Sequence, residues 1–534
     1  MAVILAILGV VLFLPHIRQG GFYSDDWENL ALSRFDGHGV LRMLPGWVNP
    51  GNRPLHNLDY SLVLTLLGDH QHAYVAYTTL LTVAVSFALY AVFRILSLER
   101  VHAAMIAGLV LVYPFADATH LWFSATDSDG AVVLYLLGLV FAIRGLRNSG
   151  RSAILHHGCA VALFACSIML YETAAPAIAM TGVLYWWMSG RRAALWRWPI
   201  DVSCVVLLLL FFTRHSSIPR THGLSALAQH AQVIYDQSFT LLARTVLPVN
   251  IDRIVILIAV ALLLTAGLIL YRHMHADDFA RAALRRWLLL TVGGLAFTTA
   301  ALAIFIPSAP YYEPLVEGVG NRINAVPALG LVSTAYALYM LVGTILALAL
   351  DATMRRVRSS PTRVHTFNFR LASALALALA ISTGIRWAHL TRVDISAWDL
   401  ASRYQLQMLD SIHALAPRLS HHQVLLVFGG PAYTQPGVPV FAASWDLNGA
   451  VQLSYNDSTL VAYPVTEGGS IKCTASGFAL DLGQGSASWI IYGGVALLDV
   501  ATHSASKPAT ASECSTVLPK FAPGPLTTLP PPSV

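Results

Sequence analysis

Charge is scarce in this chain of 534 residues: Asp, Glu, Lys and Arg together make 11%, against 56% hydrophobic residues. A soluble domain carries about 25% charged residues, so a surface facing water on all sides is excluded and much of this one must face lipid. Lysine is nearly missing, present only as Lys472, Lys507 and Lys520, while 30 residues are Arg. That usage, with abundant Ala, Leu and Val, matches a GC-rich bacterial genome and an expected place in the inner (plasma) membrane. The formal net charge of +5 is no nucleic-acid footprint, because the Arg residues sit in short clusters between apolar runs. Cysteine is sparse too, five in all. Cys159, Cys166 and Cys204 lie in apolar runs as small packing residues. Cys473 and Cys514 lie in the polar C-terminal part, where an outward-facing domain favours a disulfide between them. No Cys-x-x-Cys spacing is present, so no zinc site is assigned.

Long apolar runs are what the sequence has in plenty. They fall near 2–17, 73–97, 102–115, 130–143, 153–170, 173–188, 198–213, 254–271, 287–307, 327–350 and 371–386. A bilayer takes about 20 apolar residues per helix, so the pattern predicts a polytopic α-helical membrane protein of about eleven spans. The first run lacks a basic start and a small-residue cleavage site, and reads as a retained helix. With a cytoplasmic N-terminus, the inside loops hold 17 Arg in 59 residues and the outside loops 9 Arg in 136. The asymmetry runs in the positive-inside direction. An odd count then puts the C-terminus outside.

Residues 397–416 show helical spacing. Short β-type runs follow at 424–428, 439–444, 450–455, 460–465 and 488–500, predicting a small α+β or α/β domain over 387–520. The Pro-rich stretch 521–534 reads as a disordered tail. The membrane domain is expected to occupy 1–386, with a long first outer loop at 18–72.

That loop opens with GFYSDDWENL (21–30). Asp25, Asp26 and Glu28 crowd together at the bilayer surface, and adjacent carboxylates can raise one another's pKa and poise a general base. The same residues can serve as a helix cap with dipole complements. Arg53 begins an amphipathic segment and is a candidate for lipid phosphate. The second outer loop offers His120, Asp127 and Asp129, and Glu172 follows at the tip of a predicted hairpin. Asp127 and Asp129 also fit as caps of the helix that follows them.

The order of these features resembles the GT-C glycosyltransferases, polytopic enzymes of the protein O-mannosyltransferase and aminoarabinose-transferase type. The resemblance rests on an apolar helix, the aromatic-Asp-Asp loop, Arg53-Pro54-Leu55, the 113–147 passage and PYYEPLVEGVGNRINAVPAL (310–329). It covers roughly 1–330. It implies a GT-C-like fold and inverting transfer of a sugar from a polyprenyl-phosphate donor to an envelope acceptor on the outer face. Asp25 is then the preferred base, with Asp26 supporting it or exchanging roles and Glu28 beside them. Arg53, Arg322, Arg214 and Arg244 are phosphate candidates, and Tyr311 and Tyr312 line the lipid or sugar channel. His120, Asp127, Asp129 and Glu172 are candidates for an acceptor or donor loop. The family often carries Asp-Glu where this chain has Asp25-Asp26, and 387–520 matches none of its accessory domains. The expected partners are membrane lipids, the polyprenyl-phosphate sugar and a glycan, lipid or protein acceptor, without nucleic acid. A divalent cation stays open as a cofactor. A transporter or flippase of lipid-linked glycan, and a non-catalytic envelope scaffold, are the alternatives.

Overall fold

The structure is a computed structural model describing residues 2–35, 53–215, 220–249, 252–273, 278–309, 312–357, 364–482 and 488–528. Helix α1 (Ala2–Gln19) leads into α2 (Asp25–Phe35), and α3 (Pro54–Leu67) and α4 (Gln71–Ile95) follow. Next come α5 (Arg100–Leu111), α6 (Asp127–Arg147), α7 (Gly150–Leu170) and α8 (Thr181–His215). Helix α8 is broken at Gly190, whose φ of 83° suits a residue without a Cβ. The series closes with α9 (Leu224–Val246), α10 (Arg253–His273), α11 (Asp278–Ala303), α12 (Ala325–Val357) and α13 (Val364–Leu415).

Each of the eleven apolar runs falls on helical structure. Among the described residues, 8 stretches are long and apolar enough to cross a membrane, and α1 and α5 are shorter apolar helices. Their lipid-facing surface is visible as exposed Ile258, Leu262, Ile269, Leu207 and Ile385. The predicted outer loop 214–253 is largely a helix, α9. It buries His230, Ile234, Leu241, Leu242 and Thr245, a spacing that lays one face on the bundle.

The domain boundary expected at 386/387 falls inside α13. That helix has 52 residues and is roughly 78 Å long at 1.5 Å per residue. It carries the chain from the bundle into the C-terminal domain without a hinge. There, strands β1 (Val424–Phe428), β2 (Val461–Pro464), β6 (Val495–Asp499) and β7 (Ser504–Ser506) form a sheet in the order β2-β1-β6-β7. β1 runs parallel to both β2 and β6. β3 (Ser470–Cys473), β4 (Gly477–Asp481) and β5 (Ser488–Ile491) make an antiparallel sheet beside it. Cys473 and Cys514 are joined by a disulfide.

Three sequence expectations in this domain are corrected. The run 450–455 is not a strand but the end of helix α14 (Ser444–Tyr455). The buried Asp446 accepts bonds from the backbone N–H groups of Ala442, Ala443 and Leu447 at that helix's start, and this local cap overrides the β-type composition. The run 439–444 contributes only an isolated bridge, Tyr433 to Pro439. Residues 521–528 are ordered where a disordered tail was expected. Phe521 is buried, Gly524 exchanges backbone bonds with Val465 and Glu467, and Ala432 and Tyr433 donate to Pro525 and Leu526. Residues 529–534 lie outside the described set.

The C-terminal domain docks on the α2 segment and on the 318–324 turn through backbone-to-backbone contacts at two glycines. α14 lies against α2, where a Cβ on Gly449 would stand 2.5 Å from the carbonyl oxygen of Trp27. Gly318, with φ of 66°, packs on the backbone of Gly437, and the N–H of Val319 donates to the carbonyl of Gly437 at 2.8 Å.

Candidate active site

The two neighbouring aspartates of the first loop occupy different environments. Asp26 is buried, and both its oxygens are taken. Oδ2 accepts from the Tyr23 N–H at 3.0 Å. Oδ1 accepts from the Ser124 N–H at 2.9 Å and its hydroxyl at 2.5 Å. Burial pushes its pKa up to about 7 against the pull of those donors. Asp26 therefore ties the first loop to the second. Asp25 is half-buried at the head of α2. Its Oδ1 accepts from the Ser24 hydroxyl at 3.2 Å and from the Trp445 indole N–H, on α14, at 2.9 Å. Among the described residues its Oδ2 has no hydrogen-bond partner. Glu28 lies one turn along, with its pKa raised by desolvation and by Asp25.

The first turns of α3 bring a second polar row to the same end of the bundle. Arg53 forms a two-pronged pair with Glu172, Nε to Oε2 at 2.6 Å and Nη2 to Oε1 at 2.8 Å. Its guanidinium also lies 3.9 Å above the Tyr171 ring. The Arg53 fork is thus committed to Glu172. His56 bonds through Nδ1 to Asp127 Oδ2. Asp59 accepts from the Tyr77 hydroxyl at 3.0 Å, and burial with Asp127 nearby pushes it up to about 6. Tyr60 packs on His56 with ring centroids 4.4 Å apart. An open cleft of about 100 Å³ lies between α2 and α3, lined by Asn29, Leu32, Ser33, His56, Asn57, Tyr60 and Leu64.

Asp127 and Asp129 are both buried in the first turn of α6, and neither caps it. Asp129 accepts from Thr82 at 3.1 Å and Thr119 at 3.0 Å. His120 stands 3.7 Å from Asp129. It is buried, and desolvation depresses its pKa to about 3, so it is neutral. Arg322 is half-buried beside Trp122 and Tyr312, 5.1 and 5.8 Å from their ring centroids, and pairs with no carboxylate among the described residues. Arg244 is half-buried near Glu317, whose raised pKa it opposes. Tyr311 lies outside the described residues, as does the side chain of Arg214.

Sequence reasoning missed His56, Trp445 and a buried acid pair. In that pair Asp117 accepts from Asn321 Nδ2 at 2.7 Å, and burial, with Asp394 beside it, raises its pKa well above the carboxylate range. His56 follows Arg53 at helical spacing, which was a usable signal. Trp445 is 420 positions from Asp25, and no local pattern announces such a contact. Among the described residues no group of three or more His, Cys, Asp or Glu is arranged to hold a metal ion.

No family model and no curated protein matches the chain. Among solved structures it is similar to the archaeal oligosaccharyltransferase AglB of Archaeoglobus fulgidus, in complex with an inhibitory peptide and a dolichol-phosphate. The identity is 11% and the TM-score 0.41, over 87% of this chain and 64% of that one. The Archaeoglobus fulgidus oligosaccharyltransferase in its apo form gives 10%, 0.40, 87% and 64%. The chain thus spans just under two thirds of the length of these neighbours. A likeness this loose does not carry function across.

Proposed function

We propose that this chain is a membrane glycosyltransferase that takes a sugar from a polyprenyl-phosphate donor and passes it to an envelope acceptor on the outer face. The observation that supports it is the contrast between the two aspartates. Asp26 is saturated by internal donors, whereas Asp25 is anchored through one oxygen and keeps the other for a substrate proton. In this reading Asp25 Oδ2 takes the proton of the acceptor hydroxyl as that oxygen attacks the anomeric carbon. The bond from that carbon to the phosphate oxygen breaks, and its electron pair leaves with the lipid phosphate. Attack from the face opposite the leaving group inverts the centre. Arg322, a cation unspent on any carboxylate among the described residues, stabilises the departing phosphate, and Arg244 is a further candidate. Arg53 serves instead to hold α3 against the Glu172 turn. The test is transfer by the full chain in lipid nanodiscs, with a panel of polyprenyl-phosphate sugars and envelope extract as acceptor. Transfer by the wild type that collapses in folded Asp25→Asn supports the reading. Donor binding without transfer from any donor would point to a transporter or scaffold.

A further inference from the structure

The cleft between α2 and α3 has a lining unlike that of a phosphate site. Among the described residues its lining contains no Lys or Arg. Two amides (Asn29, Asn57), one hydroxyl (Ser33), an imidazole (His56) and a phenol ring (Tyr60) stand over an apolar floor of Leu32 and Leu64. Amides and hydroxyls donate and accept at once, as sugar hydroxyls do, while the buried Tyr60, packed between His56 and Phe123, forms part of the wall. Asp127 holds His56 at Nδ1, which fixes the ring and leaves Nε2 as its second polar atom. Nε2 has no protein partner among the described residues, and the ring borders the cleft.

The proposed base stands on the same helix as part of the lining, one turn beyond it. Asp25, Asn29 and Ser33 are four residues apart on α2 and share one face. Asn29 is therefore about 6 Å along the helix from Asp25. On α3, His56, Asn57, Tyr60 and Leu64 share the opposing face at spacings of one, three and four. A ring seated beside Asn29 therefore lies about one helical turn from Asp25.

We propose that this cleft binds a neutral saccharide, so that the acceptor is a glycan. Its role as an acceptor subsite rests on the transferase reading; its affinity for a sugar ring does not. The experiment is saturation-transfer NMR on the full chain in nanodiscs, with a panel of neutral methyl hexopyranosides, glucose 1-phosphate and cyclohexanol as probes. Ser33→Leu fills the cleft without touching the His56–Asp127 pair, and Asn57→Ala removes an amide. At least one neutral glycoside is expected to bind, about tenfold more weakly in either variant, as the loss of one or two hydrogen bonds implies. No glycoside signal, a signal insensitive to both variants, or equal binding of the sugar phosphate would overturn the assignment. Transfer assays on the same samples separate the two claims. Glycoside binding without transfer from any donor keeps the cleft and loses the transferase. Transfer whose acceptor KM is unmoved by Ser33→Leu, with no glycoside signal, keeps the transferase and loses the cleft.

Discussion

Gly449→Ala tests how the C-terminal domain holds the site. A Cβ built at Gly449 meets Trp27 O at 2.5 Å, Trp27 C at 2.6 Å and Glu28 N at 2.7 Å. All three are backbone atoms of α2, so no side chain can swing away. Ordinary contact would need α14 to retreat by about 0.9 Å, and overpacking of this kind costs about 1–3 kcal/mol. Alanine in place of glycine within a helix returns up to ~1 kcal/mol of propensity. Subtracting that gain leaves a net loss of up to about 2 kcal/mol and, for a chain of this size, a fall in melting temperature of up to about 2 °C. The retreat also opens the 2.9 Å bond from Trp445 to Asp25. A displacement of about 1 Å near reacting groups can lower the rate roughly a hundredfold. The assay is melting in nanodiscs together with sugar transfer. Gly493→Ala is the control, since a Cβ there meets nothing within 4 Å. A Gly449→Ala protein that melts at or above the wild-type temperature with unchanged transfer would refute the docking argument.

Asp25→Asn should lower transfer by about 10²–10⁴-fold without moving the melting temperature, and kcat measured beside melting checks both. Trp445→Phe removes the indole donor and is expected to slow transfer about five- to tenfold, roughly the value of one hydrogen bond. Arg53→Lys keeps the charge but not the fork onto Glu172. It should destabilise the protein by about 1–2 kcal/mol, read from thermal melts. The folded pKa of Asp26, near 7, lies above the usual 3.8, so the native state holds a proton that the unfolded chain releases. Its stabilising contribution is complete below pH ~4 and is lost as pH rises to ~7. Melts of wild type and Asp26→Asn should therefore change relative to one another across that window, the wild type losing ground, and run parallel above it.

How much of this was legible in the sequence depends on the range of each interaction. The helices were legible because lipid imposes a long apolar run wherever a helix crosses. The crowding of Asp25 and Asp26 was legible too, but their division of labour was not. It turns on Ser124 and Trp445, partners 98 and 420 positions away. Helix α14 was misread as a strand because AVQLSY is apolar and short, and its helical state depends on Asp446 capping from just upstream. The ordered segment 521–528 was missed for a related reason. Proline-rich composition signals the lack of a helix or strand pattern, not the lack of docking, and Gly524 and Pro525 bond to loop backbone that composition does not reveal.

These misses share a consequence for the site. The elements that sequence reading left unplaced, α14 with Trp445 and the Gly437 turn, meet the first interhelical segment at α2 and the late one at Gly318. Asp25 lies on one of those segments and Arg322 on the other. The C-terminal domain is thus packed against both halves of the proposed site, base and phosphate cation alike. Helix α13 couples it to the bundle without a hinge. A role limited to recruiting a partner would leave the glycine-to-backbone contacts at Gly449 and Gly437 without purpose. On the proposed transferase reading, fixing the spacing between Asp25 and Arg322 gives them one, with the domain as a positioning element. Removing it should lower kcat while the helices remain inserted, whereas a recruiting domain would raise the acceptor KM alone.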